Sequence, residues 1–412
     1  MNPAPGQENR GWQSCLPDNL RIVAENTARQ VPAELLRISE EPSDTASLAE
    51  GAAGLSVAHH YFANAWPGEG HEAAKQRYCD ARQAILEAQP MSLSLFAGFT
   101  GIAWAFLHLG CELEIVEEID DALVDYLSSG QKQVENDVIS GEIGIVIYAL
   151  EQGRHDRRSE RLIELAVGRL IGALDTGELL WKRAFSSSLP AERARFPTGY
   201  LDPGGAHGAA GVLGVLTRVD CRNADEGDRE IRVPRRQLAS RPPAAPGLAS
   251  RFPSMIVPNG ELLVSRSAWC YGDVGIASVL LRAARAISAP EREVAAREAA
   301  SLPATRNQET ASVMGAGLCH GAAGLAHQFN RLYQSLRDPV PKDATVYWAL
   351  KAVAMRWPGE AIAGYPRWYP PTWRADKGIL TGAAGVALCL LAEGNGKAPR
   401  WDRFLLLSTP EE

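Results

Sequence analysis

The chain has 412 residues, 46% of them hydrophobic and 22% charged, which excludes disorder for most of its length. Lys+Arg 42 against Asp+Glu 49 gives a net charge of −7 with no strongly basic run, which excludes nucleic acid as the main partner. At roughly 150 residues per domain the length alone allows two or three domains, or one large architecture.

Residues 1–44 begin polar and Pro/Gly-rich, carry no apolar core of a secretory signal, and read as an N-terminal segment with a helix. From residue 45 onward a short unit recurs: two glycines three apart, then an aliphatic run. The pairs are Gly51/Gly54, Gly98/Gly101, Gly141/Gly144, Gly208/Gly211, Gly272/Gly275, Gly321/Gly324 and Gly382/Gly385. One such pair is expected by chance among 38 glycines; seven, each opening an apolar run, are a repeat.

Behind the glycines, residues 102–109, 145–150, 276–281 and 386–391 are almost wholly apolar and helical in pattern. A helix apolar all round is buried all round. Between them lie amphipathic, charged segments such as 74–87, 159–174 and 290–302, suited to an outer layer. The alternation predicts an all-α fold, an α/α toroid with about seven inner and seven outer helices spanning residues 45–395. The inner helices then start at one mouth, where glycine lets backbones approach closely. Three insertions interrupt the pattern, at 176–205, 222–260 and 358–377, the last rich in Trp, Tyr and Pro; residues 396–412 read as a C-terminal tail. The longest apolar stretch, 378–392, falls short of the ~20 residues that cross a bilayer. A cytoplasmic protein with no transmembrane segment is the expectation. The odd count of 7 Cys argues against a disulfide framework there.

Residues that appear in only some repeats carry the chemistry. Cys270 precedes its glycine by two, Cys319 and His320 precede theirs by two and one, and His207 precedes its own by one. At a common mouth these groups converge despite their separation in sequence. Two thiolates and one imidazole suit one Zn²⁺, and three protein ligands leave the fourth position open, as in catalytic zinc sites. The spacing itself matches no CxxC-type pattern; the repeat register is what raises the signal. A sugar-cleaving α/α barrel would instead need paired carboxylates. Glu50, Glu142 and Asp273 lie near repeat starts, but that reading leaves the Cys/His set without a role.

The run Trp269-Cys-Tyr-Gly272, with Cys319-His-Gly321, Ala206-His-Gly208 and the seven glycine pairs, resembles the lanthionine synthetase C-like family, the lantibiotic cyclases. The likeness extends over roughly residues 45–395. It implies an α/α toroid with one zinc ion at a mouth, held by Cys270, Cys319 and His320. It also implies an active-site histidine at His207, an aspartate at Asp137, and Arg266 and Tyr271 lining the site. On the residues alone, Asp137 could equally cap an inner helix, Tyr271 could be a packed ring, and Arg266 could pair with Asp137 or Asp273. The reaction implied is addition of a peptide cysteine thiol to dehydroalanine or dehydrobutyrine in the same peptide, closing a thioether ring. The implied partners are a dehydrated precursor peptide, a lantibiotic dehydratase and a transporter, with membrane association only through such a complex. The resemblance equally admits a zinc protein that binds glutathione or adds it to dehydrated proteins, without ring formation.

Overall fold

A computed structural model of the chain describes residues 11–38, 45–88, 91–111, 114–130, 136–153, 156–175, 182–183, 194, 196–197, 199–223, 250–257, 262–286 and 290–408. Much of the expected insertions 176–205 and 222–260 therefore lies outside the described residues. Among those described, thirteen α-helices form two layers.

The inner layer is α2 (Ala52–Ala65), α4 (Phe99–His108), α6 (Glu142–Glu151), α8 (Ala209–Asn223), α9 (Asp273–Ala286), α11 (Ala322–Leu336) and α13 (Ala383–Gly394). Each packs on the next, and α13 packs back on α2, so the ring closes. Their composition requires this placement: in α6 every residue from Glu142 to Leu150 is buried. The outer layer is α3 (His71–Ala88), α5 (Glu114–Ser128), α7 (Arg157–Asp175), α10 (Pro290–Ala304) and α12 (Pro339–Ala354), each against the inner helix before it. The sixth outer helix is α1 (Asp18–Ile38), which lies against α13, the last inner helix. The two ends of the repeat thus share one helix pair.

Helices α2, α4, α6, α11 and α13 have glycine at the N-cap, which brings no capping side chain of its own. In α2, α4, α8, α11 and α13 the first N–H group is satisfied by a carbonyl seven residues back, from a loop that folds over the helix end. Ala322 N donates to Gly315 O and Ala323 N to Ala316 O, both at 3.0 Å; Ala52, Phe99, Ala209 and Ala383 make the same bond to Thr45, Ser92, Asp202 and Asp376. This closure leaves no room for a Cβ on the glycine pair. One built on Gly321 would meet Gly317 N at 2.3 Å, and one on Gly324 would meet Leu318 O at 1.7 Å.

Those folded loops are joined by a second closed circuit, made of backbone hydrogen bonds. Ala49 N donates to Phe96 O, Phe96 N to Ile139 O, Val138 N to Ala206 O and Ala206 N to Cys270 O. Trp269 N donates to Cys319 O, Cys319 N to Leu380 O, and Leu380 N returns to Ala49 O. Equivalent positions of consecutive repeats are thereby held side by side around one mouth.

Two small sheets join the helices, which the sequence pattern alone does not reveal. An antiparallel sheet runs in order β1 (Lys182–Arg183), β2 (Tyr200–Leu201), β3 (Pro253–Ile256), β4 (Leu262–Val264), and β4 leads directly into the loop carrying Arg266. A hairpin of β5 (Arg367–Tyr369) and β6 (Thr372–Arg374) falls within the aromatic insertion 358–377. Arg367 of this hairpin reaches Glu50 at 2.5 Å and Asp376 at 3.3 Å.

Beyond α13 the chain turns back into the ring. Residues 401–408 are all buried, the first five as a 3-10 helix (Trp401–Leu405). They touch α4 through Trp104, α6 through Glu151, α8 through Arg218, α9 through Arg282, and α11 through His327 and Arg331. A single short segment meets five inner helices only from inside the ring.

Candidate metal centre and active site

The backbone circuit decides which side chains meet. Because Trp269 N donates to Cys319 O, the loops of the fifth and sixth repeats lie in contact, and their thiols with them. Cys270 Sγ, Cys319 Sγ and a ring nitrogen of His320 lie within 4.8 Å of one another, with both cysteines buried. It is the one such group of three His, Cys, Asp or Glu ligands among the described residues.

The chemistry of this cluster is that of a cation site. A hydrogen bond from Cys319, then His320 and the Arg266 guanidinium, hold the Cys270 thiol well below the usual thiol range, although burial opposes them. Cys319, whose own proton serves that bond, is pushed up by it and by burial. The two sulfurs thus hydrogen-bond to each other in a buried space, where a thiolate-seeking cation would take the place of the proton between them. His320 Nδ1 is buried without a hydrogen-bond partner, a costly arrangement unless a ligand takes the lone pair. Two sulfurs and one nitrogen at this spacing fit zinc, whose bonds run about 2.3 Å to sulfur and about 2.0 Å to nitrogen.

Around the cluster stand the other four residues read from the sequence. Arg266 Nη2 lies 3.6 Å from Cys270 Sγ, so it faces the sulfur. Asp273 is held elsewhere: Arg306 pairs with it at 2.9 Å, and the backbone N–H groups of Arg251 and Phe252 donate to it. Arg306 also donates to Ser267 Oγ at 3.0 Å, so Asp273 and Arg306 brace the loop that presents Arg266. Tyr271 stacks on the His207 ring, with centroids 5.7 Å apart and planes at 29°.

The Val138-to-Ala206 bond of the circuit brings Asp137 beside His207. Asp137 Oδ2 lies 2.6 Å from His207 Nδ1. Its Oδ1 accepts from the N–H groups of Ser140 and Gly141, at 2.6 and 3.0 Å. One oxygen of the carboxylate thus closes the turn before α6 while the other faces His207. Sequence reasoning missed Arg367, whose positive charge acts on Cys319 from the rim hairpin. Its only sequence signal was a basic residue at the centre of the aromatic insertion.

The carboxylates of the sugar-cleaving alternative are engaged by arginines: Glu50 by Arg367, Glu142 by Arg169 at 2.9 Å, and Asp273 by Arg306. Among the described residues no helix is long and apolar enough to cross a membrane.

A closed α/α toroid with a Cys/Cys/His cluster at the start of its inner helices defines the class. The family description "Lanthionine synthetase C-like protein" matches residues 42–406, and the chain belongs to that family. Among solved structures, "Nisin cyclase" is similar to it, with a TM-score of 0.71, 19% sequence identity, and coverage of 95% of this chain and 98% of that one. At that identity the likeness concerns the fold, which it shares over nearly its full length.

Proposed function

We propose that this chain is a zinc-dependent lanthionine synthetase, which adds cysteine thiols of a dehydrated precursor peptide to dehydroalanine or dehydrobutyrine. The observation that carries the reading is the Cys270–Cys319–His320 cluster, within 4.8 Å, on the same mouth as the Asp137–His207 pair. Family membership and a fold shared with a protein named for cyclisation support it. Free thiols at Cys15, Cys270, Cys319 and Cys389 suit a cytoplasmic setting.

Cys270, Cys319 and His320 would hold the zinc ion, which supplies an open position where a peptide thiol is presented as thiolate at neutral pH. Arg266, beside Cys270 Sγ, offsets part of the negative charge that two thiolates bring to the site. The carboxylate of Asp137 only accepts hydrogen bonds, so it fixes the His207 tautomer with its proton on Nδ1. Nε2 of His207, left free to accept, would take up the proton released by the peptide thiol and return it to Cα of the peptide enolate left by thiol addition. Tyr271, stacked on that ring, limits its rotation and offers a phenol within the same mouth.

The test is incubation with a dehydrated precursor peptide, with and without a chelator. Ring closure conserves mass, so the readout is loss of alkylatable thiols. Thiols that disappear only when zinc is present are the expected result. Thiols that persist with zinc bound and a cognate peptide supplied overturn the proposal.

A further inference from the structure

Eight consecutive buried residues after the last inner helix are unusual, since a segment flanking a domain core ordinarily lies at the surface. Segment 401–408 is instead gripped on every side. Asp402 is paired with Arg331 at 2.7 Å and with His327 Nε2 at 2.7 Å, and Trp401 stacks on His327. Arg403 reaches Glu151 at 3.2 Å. The guanidinium of Arg218 donates to the Arg403 and Ser408 carbonyls, and that of Arg282 to the Leu407 carbonyl. Buried charged groups are costly unless they are matched; here carboxylates face Arg331 and Arg403, and backbone carbonyls face Arg218 and Arg282. Such an arrangement costs more than an apolar plug and calls for a purpose beyond filling space.

The upper end of the segment reaches the mouth. Phe404 packs edge-on against Phe96 and Trp104, with centroids 5.6 and 5.3 Å away. Phe96 belongs to the backbone circuit and its ring also touches Trp269. Trp269 donates its indole N–H to Leu405 O at 2.8 Å. The same residue, through its backbone N–H, holds Cys319 O at 3.0 Å, and its next neighbour is Cys270. One residue therefore joins the segment to both thiols of the cluster.

We infer that segment 401–408 is a positioning element for the metal centre: its Leu405 carbonyl and Phe404 ring fix Trp269, and Trp269 fixes the Cys270–Cys319 spacing. The inference builds on the metal reading of that cluster. Groups that orient metal ligands without touching the metal commonly change affinity by roughly 10–100-fold when removed.

The experiment compares zinc affinity, by competition with a chromophoric chelator, and the thiolate-to-metal bands of the Co²⁺-loaded protein. The variants are Trp269→Phe, Phe404→Ala and, as a matched control, Trp348→Phe. Trp348 is buried on the outer helix α12 and its indole N–H has no partner, so that variant removes an indole without releasing the segment. Roughly 10-fold or greater loss of zinc affinity with shifted Co²⁺ bands is expected for Trp269→Phe and Phe404→Ala, and neither for Trp348→Phe. Should Phe404→Ala lose its native circular dichroism, Phe404→Leu replaces it in the comparison. An effect confined to Trp269→Phe, equal effects in all three variants, or wild-type affinity throughout would each overturn the positioning role. A wild-type chain that binds no metal strikes the metal reading itself, which separates the two failures.

Discussion

Asp137 lies 70 residues before His207 in sequence and holds its Nδ1 at 2.6 Å in space. The other oxygen of the same carboxylate closes the turn that begins α6. One buried group therefore sets both the start of an inner helix and the proton-bearing face of the imidazole beside it. The two duties can be separated by substitution.

Asp137→Asn retains an oxygen to cap Ser140 and Gly141 but turns an amide N–H toward His207 Nδ1. The imidazolium form then loses its acceptor, and the tautomer that carries its proton on Nε2 is favoured. Cyclisation should fall about 100-fold, in the range of a lost general acid, while zinc content and stability stay near wild type. Asp137→Ala should lose the cap as well and drop stability by about 1 kcal/mol more. Thiol alkylation kinetics, metal analysis and urea unfolding measure the three quantities; unchanged kinetics in Asp137→Asn would remove the aspartate from the chemistry.

Cys319→Ala should abolish zinc retention, because two remaining donors, Cys270 and His320, cannot close a stable site. The fold should survive, since Cys319 enters the circuit through its backbone N–H and carbonyl, which alanine keeps. Native circular dichroism with less than one tenth of the wild-type zinc, roughly, is the expected outcome. A variant that keeps its metal after dialysis would show that Cys319 is not a ligand.

The ring was legible because it is written in residue type. Paired glycines and apolar runs are what a closely packed helix start demands, and the seven pairs open the seven inner helices. The register of the repeats also places Cys270, Cys319 and His320 at one mouth, where the structure brings their ligand atoms together. Other features were not legible, for identifiable reasons. The circuit from Ala49 to Leu380 is made of backbone groups, which every residue carries, so no side-chain pattern marks it. The partner of Arg266 depended on Arg306 having already taken Asp273. The small sheet pairs strands of two to four residues across long insertions, too short for a period-2 signal. The lumen segment did leave a trace: Trp401, Phe404 and Leu405 to Leu407 form an apolar run with no glycine pair, in residues that read as a tail.

Away from the mouth, a pair of buried histidines makes stability depend on pH. His59 Nδ1 and His71 Nδ1 are 3.2 Å apart among the rings of Phe62, Trp66 and Tyr78. Burial, then His71 and Arg77, lowers His59 to about 3. Burial lowers His71 as well, against the pull of Glu69, whose carboxylate is 3.9 Å away. Since the unfolded value is about 6.5, the unfolded chain takes up these protons first as pH falls. Stability is therefore complete above about pH 6.5 and declines as pH drops towards 3, by about 1.4 kcal/mol per unit for each proton. His59→Asn, which keeps a polar group at the Nδ1 position, should flatten that slope by close to one proton. Urea unfolding at pH 7, 6 and 5 compares the slopes; parallel lines for variant and wild type would locate the pH dependence elsewhere.

The glycine pairs make the sharpest packing prediction, because one substitution has opposite consequences at two sites. A methyl on Gly324 would stand 1.7 Å from Leu318 O and 2.5 Å from Leu318 C, both backbone atoms of the loop folded over α11. No rotamer change relieves that overlap, so the loop must move, and Leu318 is the residue before Cys319. Gly324→Ala should cost about 3 kcal/mol or more and weaken zinc binding along with it. Gly168, in the outer helix α7, meets nothing within 4 Å. There alanine only restricts the unfolded chain and favours the helix, so Gly168→Ala should gain about 0.5–1 kcal/mol and leave zinc affinity unchanged. Urea midpoints and zinc competition on the two variants decide the matter. If Gly324→Ala were as stable as Gly168→Ala, close approach of the loop would not be the reason for glycine at the inner helix starts.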